Sequence, residues 1–289
     1  MELVVLGCSG SVEGPDSAAS GYIIRNTTPN AEANSANTNP GTITSEGTSE
    51  GGDLLLDCGP GVLSAMQRAE GIDPSACHVA FSHMHADHCL DFPSLLVWRR
   101  FHPTAPAPHR HQLLGPTIAR RHLSAAGADA PDQPDDFTDT FDINVYKVGE
   151  GLFDATTYPA HPIGPFTLYA ATAVHPTEAY LLRVEDNAGH SLVYSGDTAW
   201  TDNLAHIAAG ADVFLCEATW GENSEGQPTG MHISGEDAGR AAQTAGAGKL
   251  VLTHIPPWGD TDAAVRGAAR HYGGEILVAR PGMRLTIGE

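Results

Sequence analysis

The apolar residues of this chain fall in short runs rather than long amphipathic stretches. Leu3-Val4-Val5-Leu6, Tyr22-Ile23-Ile24 and Leu54-Leu55-Leu56 are each closed by glycine or charged turn residues, a pattern that predicts neighbouring β-strands. Val62 to Glu70 then reads as a helix, His78 to Phe81 as a buried strand and Asp91 to Arg100 as a second helix. Asp129 to Asp142 is acidic, contains proline and reads as a loop.

The second half repeats the rhythm. Strands are predicted near Phe166 to Val174, Ala179 to Val184 and Ser191 to Tyr194, with Asp186-Asn187-Ala188-Gly189 turning the last two into a hairpin. Val213 to Cys216 is a further buried strand, and Ser234-Gly235-Glu236-Asp237 has the form of a capping box opening a helix to about Thr244. Lys249 to Thr253 reads as a strand, Thr261 to His271 as a helix, and Ile276 to Val278 and Arg284 to Ile287 as closing strands. No solenoid repeat is present. Strands and helices in this order pack naturally as two sheets with helices on their outer faces.

Residues 26–52 break the pattern. Asn, Thr, Ser, Glu and Gly dominate there and almost no large apolar side chain occurs, so burial cannot offset the entropy of ordering the segment. It is expected to be a mobile surface insertion, which a sheet tolerates because loop-closure entropy grows slowly with length.

With 289 residues, 41% of them hydrophobic, the chain has enough material for one large α/β domain spanning 1–289. Its 35 acidic residues against 15 basic ones give a formal charge of -20, which disfavours long nucleic acids and anionic membranes as partners. The odd, scattered set Cys8, Cys58, Cys77, Cys89 and Cys216 suits reduced thiols in a cytoplasmic protein without disulfides. Val5-Leu6-Gly7-Cys8 faintly resembles a lipoprotein cleavage site, yet no basic region or sufficient apolar run precedes it. No stretch approaches the roughly 18 to 20 apolar residues of a membrane span.

Chemistry concentrates in Ser82-His83-Met84-His85-Ala86-Asp87-His88. On a loop at a strand end, alternate residues His83 and His85 can face one ion while Asp87 and His88 face another, and nitrogen and oxygen donors of this kind suit Zn²⁺ or related transition ions. The histidines His102, His109, His111 and His122 lack such spacing and carboxylates, and read as a solvated, basic-leaning segment. Cys89 and Cys216 read as core thiols.

The His-x-His-x-Asp-His string resembles the metallo-β-lactamase superfamily, and later segments extend the likeness: Val174-His175-Pro176, Tyr194-Ser195-Gly196-Asp197-Thr198 and Leu252-Thr253-His254. The resemblance implies a four-layer αββα sandwich in which His83, His85 and His175 hold one divalent ion, Asp87, His88 and His254 hold a second, and Asp197 bridges them. Zinc is the first expectation, with Mn²⁺ or Fe²⁺ also suited to the donors. Aspartate stands at the bridging segment where true β-lactamases use cysteine, which argues against antibiotic degradation.

Glu217-Ala218-Thr219 followed by His232 resembles the ribonuclease Z-like branch, in which a glutamate orients a histidine that donates a proton. By that likeness Glu217 and His232, with the ligand Asp87, form the catalytic set. An acid has a chemical reason to stand there, because a departing alkoxide leaves poorly unless protonated. A glutamate partner would hold the tautomer of His232 and raise its basicity. Only a hairpin separates His175 from Asp197, where an RNA-binding arm would be sought, and the acidic composition opposes phosphate-dominated RNA binding. Two divalent ions set against Asp87, Asp197 and a hydroxide leave a local charge of about +1, which suits a small anionic diester.

Apart from residues 26–52, the chain resembles actinobacterial proteins described as atypical class II cyclic-nucleotide phosphodiesterases. Leu6-Gly7-Cys8-Ser9-Gly10-Ser11, Leu95-Leu96-Val97-Trp98-Arg99-Arg100, Phe214-Leu215-Cys216-Glu217-Ala218 and Leu252-Thr253-His254-Ile255-Pro256-Pro257-Trp258 carry that likeness. Ala86 stands where the usual class II motif has leucine. The resemblance implies hydrolysis of 3′,5′-cyclic AMP to 5′-AMP by a homodimer, with a small anionic nucleotide as substrate. An RNase Z-like ribonuclease, or an ester or lactone hydrolase, is the alternative on the same ligand set. A catalytically silent scaffold would be expected to have lost a ligand or the acid. Trp258 is the nearest aromatic residue to serve as a wall for the base, with a core role equally open.

Overall fold

The computed structural model describes residues 1–27 and 52–288; nearly all of the predicted insertion therefore lies outside the described residues. Strand β1 (Glu2–Gly7) shows why its sequence is continuously apolar: Leu3 and Val5 enter a layer between two sheets, while Val4 and Leu6 enter a layer beneath helices. A strand buried on both faces carries no polar alternation.

One seven-stranded sheet has the order Arg284–Thr286 (β14), β1, β2 (Gly21–Arg25), β3 (Asp53–Leu56), β4 (Cys77–Ala80), β5 (His111–Gly115) and β6 (Phe141–Val145). The other runs Glu275–Val278 (β13), Lys249–Thr253 (β12), Val213–Glu217 (β11), Ser191–Tyr194 (β10), Tyr180–Asp186 (β9), Phe166–Thr172 (β8) and His161–Ile163 (β7). Each sheet is antiparallel at one side and parallel at the other, from β3 to β6 and from β10 to β13. Helical crossovers serve the parallel parts, as the geometry of parallel strands demands.

Three apolar layers result. Leu3, Tyr22, Leu56, Leu182, Tyr194 and Val251 fill the space between the sheets. Helices α1 (Val62–Arg68), α3 (Phe92–Phe101) and α4 (Ala119–Ala126) cover the first sheet, with Met66, Phe92, Leu96 and Leu123 packed on Val79 and Phe81. Helices α5 (Asn203–Ile207), α6 (Gly235–Ala245) and α7 (Thr261–Ala269) cover the second sheet through Leu204 and a run of alanines. Gly235 and Gly239 allow α6 to approach α7, since a Cβ at either would stand 1.9 or 2.3 Å from a backbone oxygen of α7. The expected four-layer αββα sandwich is thus observed.

Most predicted elements stand within a residue or two of their expected ends. The capping box of α6 is present, with the Ser234 side chain and Asp237 exchanging hydrogen bonds. Elsewhere the sequence pattern misled. The expected loop Asp129 to Asp142 ends in a short 3-10 turn, Phe137–Asp139, and its last residues already belong to β6. His111 is not solvated: it begins β5, is buried and accepts a hydrogen bond from Arg99 Nη2 at 2.6 Å, while His109 and His122 are exposed as expected. A buried arginine partner, invisible to spacing rules, draws that histidine inside. All five cysteines are free, and Cys89 and Cys216 are fully buried. Among the described residues no helix is long and apolar enough to cross a membrane.

Candidate metal centre

Asp57 follows β3, Ser82 and His83 follow β4, His175 follows β8, Asp197 follows β10, Glu217 ends β11 and His254 follows β12. All stand at or just beyond the carboxyl ends of strands in the two facing sheets, where open α/β architectures place their ligands. His85 is the N-cap of α2 (Ala86–Cys89), a single helical turn that carries Asp87 and His88. The predicted loop from Ser82 to His88 is therefore partly helical.

The seven residues form two clusters sharing Asp197: His83, His85, His175 and Asp197, and Asp87, His88, Asp197 and His254, with the donor atoms of each within 4.8 Å of one another. Hydrogen bonds on three of the rings fix which nitrogen faces inward. Asp57 accepts from His88 Nδ1 at 2.7 Å, and the Met231 carbonyl accepts from His175 Nδ1 at 2.8 Å. Ser82 Oγ donates to Asp57 Oδ2 at 2.7 Å, so it can only accept from His83 Nδ1, 3.1 Å away. In each case Nδ1 carries a proton outward and Nε2 is the nitrogen directed into the cluster.

Asp197 spans the two groups. Its Oδ1 lies 3.2 Å from His88 Nε2 and 3.3 Å from His254 Nε2, and its Oδ2 lies 3.7 Å from His83 Nε2. His83 Nε2 and Asp197 Oδ1 are buried without any hydrogen-bond partner. Buried polar atoms are rarely left so. Converging lone pairs, orphaned inner atoms and a shared carboxylate fit divalent metal ions.

The electrostatics agree with that fit. Burial pushes His83, His85 and His175 below the usual imidazole range, leaving neutral donors. Burial opposes ionisation of Asp87 and Asp197, but His254 and His88 outweigh it and hold both carboxyls well below their ordinary values. For His88, burial is overcome by Asp197 and Asp57, which raise it strongly. Crowded carboxylates thus retain a proton on a ligand-type histidine, in a place a cation suits equally well.

Beside both clusters stands His232, its ring 5.5 Å from that of His175 and 5.4 Å from that of His254. Its Nδ1 donates to Glu217 Oε1 at 3.2 Å. Burial would lower this imidazole, yet Glu217 and then Asp197 raise it to about 9, as the sequence-based expectation for Glu217 requires. Trp220 meets the ring edge-on at 5.1 Å. Trp258, in contrast, is 72% exposed, so its core role is excluded.

The structure therefore brings together the residues that the sequence reading assigned to the metals and the acid: His83, His85, Asp87, His88, His175, Asp197, Glu217, His232 and His254. It adds Asp57, Ser82, Tyr194 and Thr219, none of which the sequence reading assigned. Asp57 is fully buried, has φ of 58°, and accepts from Ser82 N, Ser82 Oγ, His88 Nδ1 and Tyr194 Oη. An acidic residue closing an apolar strand, as in Leu54-Leu55-Leu56-Asp57-Cys58-Gly59, was the available signal.

A strand-end metal centre between two such sheets defines a metallo-hydrolase fold, and residues 53–255 match the beta-lactamase superfamily domain. The chain belongs to that superfamily. It is 43% identical over 287 residues to an uncharacterized protein of Mycobacterium leprae, covering 99% of this chain and 89% of that one. Identity to the probable metallo-hydrolase YhfI of Bacillus subtilis is 29% over 290 residues, 98% of each chain, and the crystal structure of YhfI superposes with a TM-score of 0.74 over 98% of each. Ribonuclease Z of Natronomonas pharaonis is 26% identical over 276 residues, 82% of this chain and 89% of that one.

Proposed function

We propose that this chain is a dinuclear phosphodiesterase that opens 3′,5′-cyclic AMP to 5′-AMP. The observation that carries the reading is the Glu217–His232 pair set beside both metal-fitting clusters. Hydrolysis of a cyclic phosphodiester expels the alkoxide O3′, and His232 can supply its proton: Glu217 occupies Nδ1 at 3.2 Å, so Nε2 is the nitrogen left to give it.

His83, His85 and His175 would hold one ion and Asp87, His88 and His254 the other, with Asp197 between them. Bound there, Zn²⁺, Mn²⁺ or Fe²⁺ would supply Lewis acidity toward phosphoryl oxygens and activate water. The protein's own part is orientation. Asp57, Ser82 and the Met231 carbonyl hold ring tautomers, and Glu217 holds the acid. Trp258, exposed four residues beyond His254, is the proposed face for the base.

Size selection follows from charge. At a formal -20 the surface opposes a polyanion, whereas a small monoanion incurs little of that penalty. The β9–β10 connection is a tight turn closed by Asp186 and His190 and offers no arm for RNA. The test is a parallel assay of metal-loaded protein on 3′,5′-cyclic AMP and on precursor transfer RNA, with both product sets quantified. Formation of 5′-AMP without RNA trimming is expected; efficient trimming without 5′-AMP transfers the assignment to a ribonuclease.

A further inference from the structure

Glu217 has more to do than hold His232. Its carboxylate is fully buried and takes four hydrogen bonds: Thr198 N at 2.7 Å and His232 Nδ1 at 3.2 Å on Oε1, and Thr219 Oγ1 at 2.7 Å and Ile233 N at 3.3 Å on Oε2. Thr219 is itself buried, and its Oγ1 lies 2.9 Å from His254 Nδ1 and 3.1 Å from the His254 carbonyl oxygen. A threonine hydroxyl has one proton to give. The carboxylate oxygen at 2.7 Å is both the nearer and the charged acceptor, so the proton goes there rather than to the carbonyl. Oγ1 is then left as an acceptor, and His254 Nδ1 must bring the hydrogen.

We infer that Thr219 is a positioning residue for His254, relaying the Glu217 carboxylate to that ring and holding its Nε2 unprotonated. That Nε2 is the atom facing the second cluster, 3.2 Å from Asp87 Oδ2 and 3.3 Å from both Asp197 Oδ1 and His88 Nε2. One buried carboxylate thereby sets two histidines, His232 directly and His254 through a hydroxyl. His254 needs the support because its backbone is in the left-handed region, with φ of 55°, a conformation a side chain larger than glycine adopts only when its surroundings impose it. The hydroxyl contacts both the ring and the carbonyl of this one residue, gripping it at two points.

The inference rests on the proposed reading of His254 as a metal ligand, and is independent of the substrate. Thr219→Val preserves shape and removes the relay, whereas Thr219→Ser keeps the hydroxyl. In Zn²⁺ titrations against a competing chelator, the valine variant is expected to bind one ion normally and the second about 10- to 100-fold more weakly, the usual effect of removing such a partner; serine restores the second site. Nuclear magnetic resonance of isotope-labelled histidine in the metal-free wild type should find the His254 proton on Nδ1, and in the valine variant the His232 signals should be unchanged. Two full-affinity ions in the valine variant overturn the inference. A wild-type His254 protonated on Nε2 overturns it too, without any variant having to fold. Should the wild type bind a single ion, the ligand assignment of His254 falls, while the ring tautomer still decides the relay.

Discussion

Asp57→Asn tests whether one buried carboxylate organises the strand ends around the centre. Ser82 N donates to Oδ1 at 2.7 Å, while Ser82 Oγ, His88 Nδ1 and Tyr194 Oη donate to Oδ2 at 2.7, 2.7 and 2.9 Å. Asparagine has a single acceptor oxygen. Placed at Oδ2, it turns its NH₂ on the Ser82 amide; placed at Oδ1, it turns its NH₂ on His88 Nδ1–H. Either way two buried donors confront each other. Losing a hydrogen bond to a charged group costs about 1.5–3 kcal/mol and stranding a buried donor about 1–3 kcal/mol, so a destabilisation of about 3–5 kcal/mol is expected. That is a large part of the about 5–15 kcal/mol typical of a folded protein. Urea denaturation of metal-free protein measures it, and a Zn²⁺ titration reads the second consequence: with His88 freed to adopt its other tautomer, affinity at the second cluster drops. An asparagine variant within about 1 kcal/mol of wild type, with unaltered Zn²⁺ affinity, would refute the reasoning, because nothing in the hydrogen-bond chemistry permits both.

Asp197→Ala removes the carboxylate with an oxygen toward each cluster, and is expected to lower metal content and turnover together; elemental analysis showing full occupancy with normal turnover contradicts the shared-ligand reading. His232→Ala is expected to keep its metals and lose about 10²- to 10⁴-fold in cyclic-nucleotide hydrolysis, with a much smaller loss on nitrophenyl diesters, whose leaving group needs little protonation; equal losses on both substrates argue against the acid. Burial, then Arg99, push His111 down to about 3, against about 6.5 in an unfolded chain. Between those values the unfolded chain binds more protons, so stability rises with pH and is lost on acidification below about 6.5, by up to about 1.4 kcal/mol per pH unit. Urea denaturation at several pH values should show a shallower dependence for His111→Gln than for wild type, and identical slopes would exclude this histidine as the source.

The site was legible where chemistry is written in residue type. Imidazoles and carboxylates packed into Ser82 to His88, and isolated ones after strand-like runs at His175, Asp197 and His254, announce themselves because few other roles bring such side chains together. Elements buried on both faces were legible for a similar reason, as continuous apolar runs. What escaped was relational. Thr219 and Ser82 are ordinary residues whose roles come from a single partner across the fold, and Asp57 reaches Tyr194 over a separation of 137 residues. Strand β5 opens with His111 and Gln112, and α4 buries only Ala119 and Leu123, so neither carries enough apolar pattern to stand out. His111 was misread because its partner Arg99 lies on a helix that the local sequence does not connect to it.

The order in which the clustered residues occur along the chain has a consequence for how the protein is made. His83, His85, Asp87 and His88 leave the ribosome early, whereas His254 follows His88 by 166 residues. Each cluster needs members from both sheets, so a nascent chain carries half of each donor set until the second sheet is made: His175 and Asp197 complete the first set, and only His254, after β12, completes the second. A product ending before His175 can chelate an ion loosely through its first histidines but closes neither coordination sphere, and one ending before β12 still lacks the last member of the second. Hydrolytic competence is therefore withheld until the late strands are in place, and metal scarcity during synthesis would leave complete chains awaiting ions rather than truncated chains already armed.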